Sequence, residues 1–218
     1  MKRLLAGVPL LFVLACEDAA TTAPCDVAPA QPAQPAASGD SPALKPAIRE
    51  VATSTAKIER VKLRVDEAGV IVKQSVYHDD ASAIPEAVRK LAEQQFPGST
   101  PISYETEHYA DLGDIYEVEL NTADGQQCEV AGRADGSLVY TECRLDPASM
   151  PEPIAAQVSA AIPGGEVVEA ERKTRDGSEE FTVEVTHDGR EFYLRIAADG
   201  SLLSKHVRLP ALLELPVP

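Results

Sequence analysis

The feature that most constrains this chain is a β-hairpin written three times. Its turns read Asp66-Glu67-Ala68-Gly69, Ala134-Asp135-Gly136-Ser137 and Ala198-Asp199-Gly200-Ser201. Aligned on the glycines, the strands before them read Val61-x-Leu63-x-Val65, Cys128-x-Val130-x-Gly132 and Phe192-x-Leu194-x-Ile196. The strands after them place Ile71, Leu138 and Leu202 in one column and Val76, Cys143 and Val207 in another. Recurrence at a spacing of 64 to 67 residues means tandem copies of one small unit. The shared columns are apolar and the turns suit a backbone that needs positive φ at glycine. The repeats therefore specify a core, and a functional surface is to be sought where the copies differ.

Between the hairpins lie two helical stretches. Ile84, Val88, Leu91 and Phe96 recur at near-helical spacing, with Pro85 at the start and Pro97-Gly98 at the stop. Ile154, Val158 and Ile162 repeat the stripe between Met150-Pro151 and Pro163-Gly164. Each helix precedes a further hairpin, turning at Asp111-Leu112-Gly113-Asp114 and at Arg175-Asp176-Gly177-Ser178. Tyr116, Val118 and Leu120 alternate with Glu117 and Glu119, as Phe181, Val183 and Val185 do with Glu184 and Thr186. Such alternation predicts sheets with one dry and one wet face.

The expected fold class is α+β: two tandem units, each one helix packed on a four-stranded antiparallel sheet, plus an extra N-terminal hairpin that protects a sheet edge. The expected divisions are a signal at 1–15, a tether at 16–56, the leading hairpin at 57–82 and repeats at 83–146 and 147–218.

Lys2 and Arg3 followed by the apolar run Leu4 to Ala15 make an export signal too short to span a bilayer. The run ends in Val13-Leu14-Ala15-Cys16, which resembles the lipobox of bacterial lipoproteins and implies lipidation at Cys16. A plain secretory signal is the alternative, since Leu14 is a less usual choice. The resemblance implies a lipid-anchored protein facing the periplasm, with the outer membrane favoured over the inner. Six prolines among alanine, serine and threonine over the next forty or so residues describe a polar tether without a core. The 20 Lys and Arg against 35 Asp and Glu give a net charge of −15, which repels nucleic acid and anionic head groups. Contact with the membrane is expected through the lipid anchor only.

The helix starts at Ile84-Pro85 and Met150-Pro151 and the stops at Pro97-Gly98 and Pro163-Gly164 together resemble the PepSY-like domain family. So do Tyr116-Glu117-Val118-Glu119-Leu120 and the Ala-Asp-Gly-Ser-Leu runs at 134–138 and 198–202. The pattern is similar to the repeats of β-lactamase inhibitor proteins and covers roughly residues 58 to 209. The resemblance implies an envelope protein without catalytic residues that binds or restrains another protein, often a peptidase.

Cys128 and Cys143 stand symmetrically about the Asp135-Gly136 turn and replace apolar residues in both other copies. Two thiols on one face of adjacent strands in an oxidising compartment are expected to form a disulfide. Cys25 remains, either as an unpaired passenger or as a site for intermolecular linkage.

Enzyme signatures are missing: there is no G-x-S-x-G elbow, H-E-x-x-H, P-loop or dinucleotide fingerprint. His108 near Asp111 and His187 beside Asp188 hint at a metal, but turn histidines near aspartates are common. No catalytic residue, metal or cofactor is expected. The wet sheet face is the candidate binding surface, carried by Tyr104, Tyr109, Glu117, Glu119, Tyr140, Tyr193 and Arg195. The sequence thus points to a non-enzymatic protein binder, with a cation or small-ligand sensor and a structural envelope lipoprotein as alternatives.

Overall fold

The structure is a computed structural model and describes residues 58–212, Val51 and Glu214. The signal, the Cys16 lipid site, the tether and Cys25 lie outside the described residues.

Ten strands appear: β1 (Ile58–Val65), β2 (Ile71–His78), β3 (Thr100–Tyr109), β4 (Gly113–Asn121), β5 (Gln127–Gly132), β6 (Leu138–Leu145), β7 (Glu166–Arg175), β8 (Ser178–His187), β9 (Arg190–Ala197) and β10 (Leu202–Arg208). Helix α1 (Glu86–Gln95) joins β2 to β3, and α2 (Glu152–Ala161) joins β6 to β7. All ten strands belong to one antiparallel sheet in chain order. This corrects the expected fold class of two helix-on-four-strand units. The joints between copies are full ladders: β2 pairs β3 from Lys73↔Tyr109 to His78↔Tyr104, and β6 pairs β7 from Thr141↔Thr174 to Leu145↔Ala170. A separate unit would leave each of those edges with unpaired N–H and C=O groups, and fusing the copies satisfies them.

The turns follow from their residues. At Arg133 to Ser137 and Ala197 to Ser201 the turn glycine sits at φ +85° and +88°, and a one-residue bulge shifts the register beyond it. Asp135 and Asp199 clamp these turns by accepting from the N–H of Ser137 and Ser201, each at 2.9 Å. The same glycines also seat the helices. A Cβ at Gly200 would lie 2.9 Å from Pro153 Cβ and 3.0 Å from its carbonyl oxygen, and one at Gly136 would lie 3.1 Å from Ala87 Cβ. The first turn of each helix therefore rests on its hairpin.

Both helices lie on one face of the sheet. Ile84, Val88, Leu91 and Ala92 pack with Val118, Leu120, Cys128 and Val130 in the first copy. Ile154, Val158 and Ile162 pack with Phe181, Val183, Val185, Leu194 and Ile196 in the second. Burying each such branched side chain stabilises the fold by roughly 1.5–3 kcal/mol. Cys128 pairs directly with Cys143 in the β5–β6 register, and the two form a disulfide. Bridging residues 15 apart contributes about 3 kcal/mol in the chain-entropy model.

The opposite face is not wet, which corrects the expectation drawn from alternation. β1 and β9 are eight strand steps apart, on the order of 38 Å in a flat sheet. Yet the Arg64 guanidinium of β1 lies 5.5 Å from the ring centre of Tyr193 on β9. The sheet rolls so that its two ends meet across the helix-free face. Glu107 is 1% exposed, Tyr140 2% and Glu142 4%.

Candidate functional site

The inward face is built by strand parity. Lys73, Ser75 and Tyr77 of β2 sit opposite Tyr109, Glu107 and Glu105 of β3, and Glu107 and Glu105 sit opposite Ile115 and Glu117 of β4. A second row runs Ser103, Glu119, Glu129, Glu142, Lys173 and Glu180 across β3 to β8. The sheet thus opposes carboxylate to carboxylate at Glu105↔Glu117, Glu119↔Glu129 and Glu129↔Glu142. Like charges directly opposite one another destabilise a sheet, and burial increases the cost.

Cations and hydroxyls answer some of them. Lys73 pairs with Glu107, and Lys173 pairs with Glu142 at 2.7 Å while lying 3.9 Å from the Tyr140 ring centre. Thr182 Oγ1 donates to Glu142 Oε1 at 2.5 Å, and the Tyr140 hydroxyl donates to Glu117. Ser103 Oγ at 2.5 Å and the Gln127 amide donate to Glu119.

The electrostatics follow. Burial, with the Glu105 and Glu129 carboxylates nearby, pushes Glu117 well above the usual carboxylate range. Burial with Glu171 and Glu142 does the same to Glu129. Glu171 is raised to about 8 by burial and by Glu142. Burial lowers Lys73 to about 8 despite Glu117 and Glu105. Burial also opposes the charge on Lys173, but the Glu142 and Glu117 carboxylates outweigh it and raise its pKa.

The residues expected to carry the binding face part company here. Tyr109, Glu117, Glu119, Tyr140, Tyr193 and Arg195 do share one face, but it is the inside of the roll. Tyr104 is on the other face, packed against the first helical core. Arg195 is held by Glu180 through two hydrogen bonds at 3.2 and 2.7 Å. His108 Nδ1 lies 2.7 Å from Asp114 rather than facing Asp111, and His187 Nε2 lies 3.4 Å from Asp188. Sequence reasoning passed over Lys73, Glu129, Glu142, Glu171 and Lys173. The signal for them was present: Arg60, Lys62 and Arg64 alternate on β1 in phase with the glutamates of β3 to β6, so cations were available to line the same interior.

Five of the eleven large apolar side chains exposed among the described residues gather elsewhere. Successive hairpins of a meander bring the β1–β2, β3–β4, β5–β6 and β9–β10 turns to one end of the sheet. That end carries Val65 and Val70 (both 45% exposed), Leu112 (39%), Leu138 (46%) and Leu202 (40%). Arg133 Nη1 donates to the Leu112 carbonyl at 3.0 Å and ties two neighbouring tips together.

No family model and no curated protein matches the chain. Among solved structures it is similar to a BLIP-like protein from Bacteroides fragilis, with 20% identity, a TM-score of 0.46, and coverage of 61% of this chain and 93% of that one. A DUF2874 family protein from Bacteroides ovatus gives 15% identity, a TM-score of 0.46, and coverage of 57% and 87%. Another from Bacteroides uniformis gives 13%, 0.46, and 56% and 88%. Overlap at TM-scores below 0.5 assigns neither a family nor a function, so the PepSY-like resemblance rests on the motifs.

Proposed function

We propose that this chain is a non-enzymatic envelope protein, anchored through lipid on Cys16 and facing the periplasm, that binds another protein through the hairpin-tip end of its sheet. The observation that supports this reading is the contrast in exposure. The polar face is rolled inward, while Val65, Val70, Leu112, Leu138 and Leu202 stand 39–46% exposed at one end. Apolar side chains gathered on one surface and bordered by acids such as Asp66 and Asp111 form an apolar centre with a polar rim, the composition of a protein interface. Restraint of a peptidase is the concrete version, and it rests on the PepSY-like resemblance alone.

The test is affinity capture from a periplasmic extract, comparing the native chain with a Leu112→Ser, Leu138→Ser, Leu202→Ser variant. A defined partner that the native chain retains and the variant loses supports the reading. Equal capture by both proteins overturns the assignment to this end of the sheet. Inhibition of a captured peptidase, measured with and without the native chain, decides the restraining role.

A further inference from the structure

The inward face of the first copy crowds four carboxylates round one small cleft, beside the in-phase cations of β1, and one carboxylate oxygen there has no hydrogen-bond partner among the described residues. Lys73 is engaged by Glu107, Lys173 by Glu142, and the Tyr140 hydroxyl by Glu117. Glu119 takes Ser103 and Gln127. Glu105 is 7% exposed, and its Oε1 is buried without a hydrogen-bond partner. It lines a small cleft together with Tyr77, Ser103, Glu117, Glu119 and Glu129. Carboxylate oxygens of Glu105, Glu107 and Glu117 approach within 4.8 Å of one another.

We propose that this cleft binds a divalent cation of the calcium type, with Glu105 and Glu117 as its principal ligands and Glu119 and Glu129 adding negative charge from the neighbouring pair. Three features carry the assignment. The lining offers oxygen donors only, from four carboxylates and the hydroxyls of Ser103 and Tyr77, and oxygen-only sites select hard ions. Glu105 and Glu117 are directly opposed across β3 and β4, so one ion between them turns a repulsive pair into a bridge. Glu105 takes a side-chain hydrogen bond from Tyr77, but among the described residues nothing donates to its Oε1, which is buried at the cleft where an unsatisfied oxygen is costly. Glu107 keeps Lys73 and stays outside the primary ligand set.

Calorimetric titration of Ca²⁺ into the full chain tests this, in parallel with Glu105→Gln, Glu129→Gln and, as an exposed helical control, Glu152→Gln. The expected result is one saturable site in the native chain. Affinity falls at least tenfold in Glu105→Gln and measurably in Glu129→Gln, and is unchanged in Glu152→Gln. Circular dichroism checks that the variants fold, and the two inward substitutions on different strands keep the test intact should one fail. Native protein that shows no saturable Ca²⁺ binding overturns the proposal, leaving protons and the side-chain cations to balance the cleft. So does binding that the control weakens as much as Glu105→Gln does, which would mark diffuse attraction to an acidic chain. Neither result bears on the hairpin-tip interface, whose test is capture of a partner.

Discussion

The two copies share a helical core and differ inside the roll. The strand register places Glu105, Glu107, Glu117, Glu119, Glu129 and Glu142 of the first copy where the second has Glu171, Lys173, Thr182, Glu184, Tyr193 and His206. Ala131 likewise corresponds to Arg195. The second copy supplies its own cations: Arg195 holds Glu180 at 2.7 Å and Arg208 pairs with Glu184. The first draws on Lys73, with Arg60, Lys62 and Arg64 in phase beside it, from the leading hairpin, and on Lys173 from its neighbour. The same backbone thus carries one interior whose acids are met by cations of its own copy and one whose acids borrow theirs from either side, and protons are held in both, at Glu171 as at Glu117 and Glu129.

The largest break in this comparison is removal of the shared cation. Lys173→Met leaves Glu142 buried with Thr182 as a donor but without its cation, and should cost about 3–5 kcal/mol by urea denaturation. Next, replacing Cys128 and Cys143 with the second copy's Phe and Val removes a staple that the second copy lacks. A loss of about 3 kcal/mol, less what the new side chains regain by packing, is expected from the same measurement.

A smaller effect has a definite sign. Glu171 titrates at about 8 in the folded protein against the ordinary glutamate value of 4.5 in the unfolded chain, so between those values the native chain holds a proton the unfolded chain has released. Stability is fully present below pH 4.5 and falls as pH rises toward about 8. Glu117 and Glu129 act in the same direction. The thermal midpoint should decline across this window, and Glu117→Thr with Glu129→Tyr, the second copy's residues, should flatten the decline. A midpoint that rises across the window would contradict the buried-carboxylate interior. The smallest effect belongs to the second copy: Glu180→Gln weakens a half-exposed pair with Arg195 and should cost less than about 1 kcal/mol.

Much of the local structure is legible in the residues. Pro85 and Pro151 before the helices, glycine at each bulged turn, and Asp-Gly at 176–177 and 188–189 with both residues at positive φ all act through nearby backbone. The Cys128–Cys143 pair is legible for the same reason, because hairpin symmetry and column identity depend on local register. What alternation does not encode is whether the polar side of a strand meets water or another part of its own sheet. Glu117 and Glu119 alternate identically in either case, so the rolled sheet is not legible in them, and the in-phase cations of β1 are its sequence signal. The face of Tyr104 was readable, since parity separates it from Glu105 and Tyr109.

Every strand here bonds only to the strand before and after it in the chain. Pairing can therefore proceed hairpin by hairpin with short loop closures, and the assembly rate of such a chain is limited little by its β content. The contact of Arg64 with Tyr193 is of another kind, since it joins the first strand to the ninth. Ladder formation leaves the inward glutamates hydrated, and only the closing of the roll strips their water. Uptake of protons or cations by this interior thus belongs to the last step of folding, where a pH indicator or calcium-sensitive dye would see it after the strands have already paired.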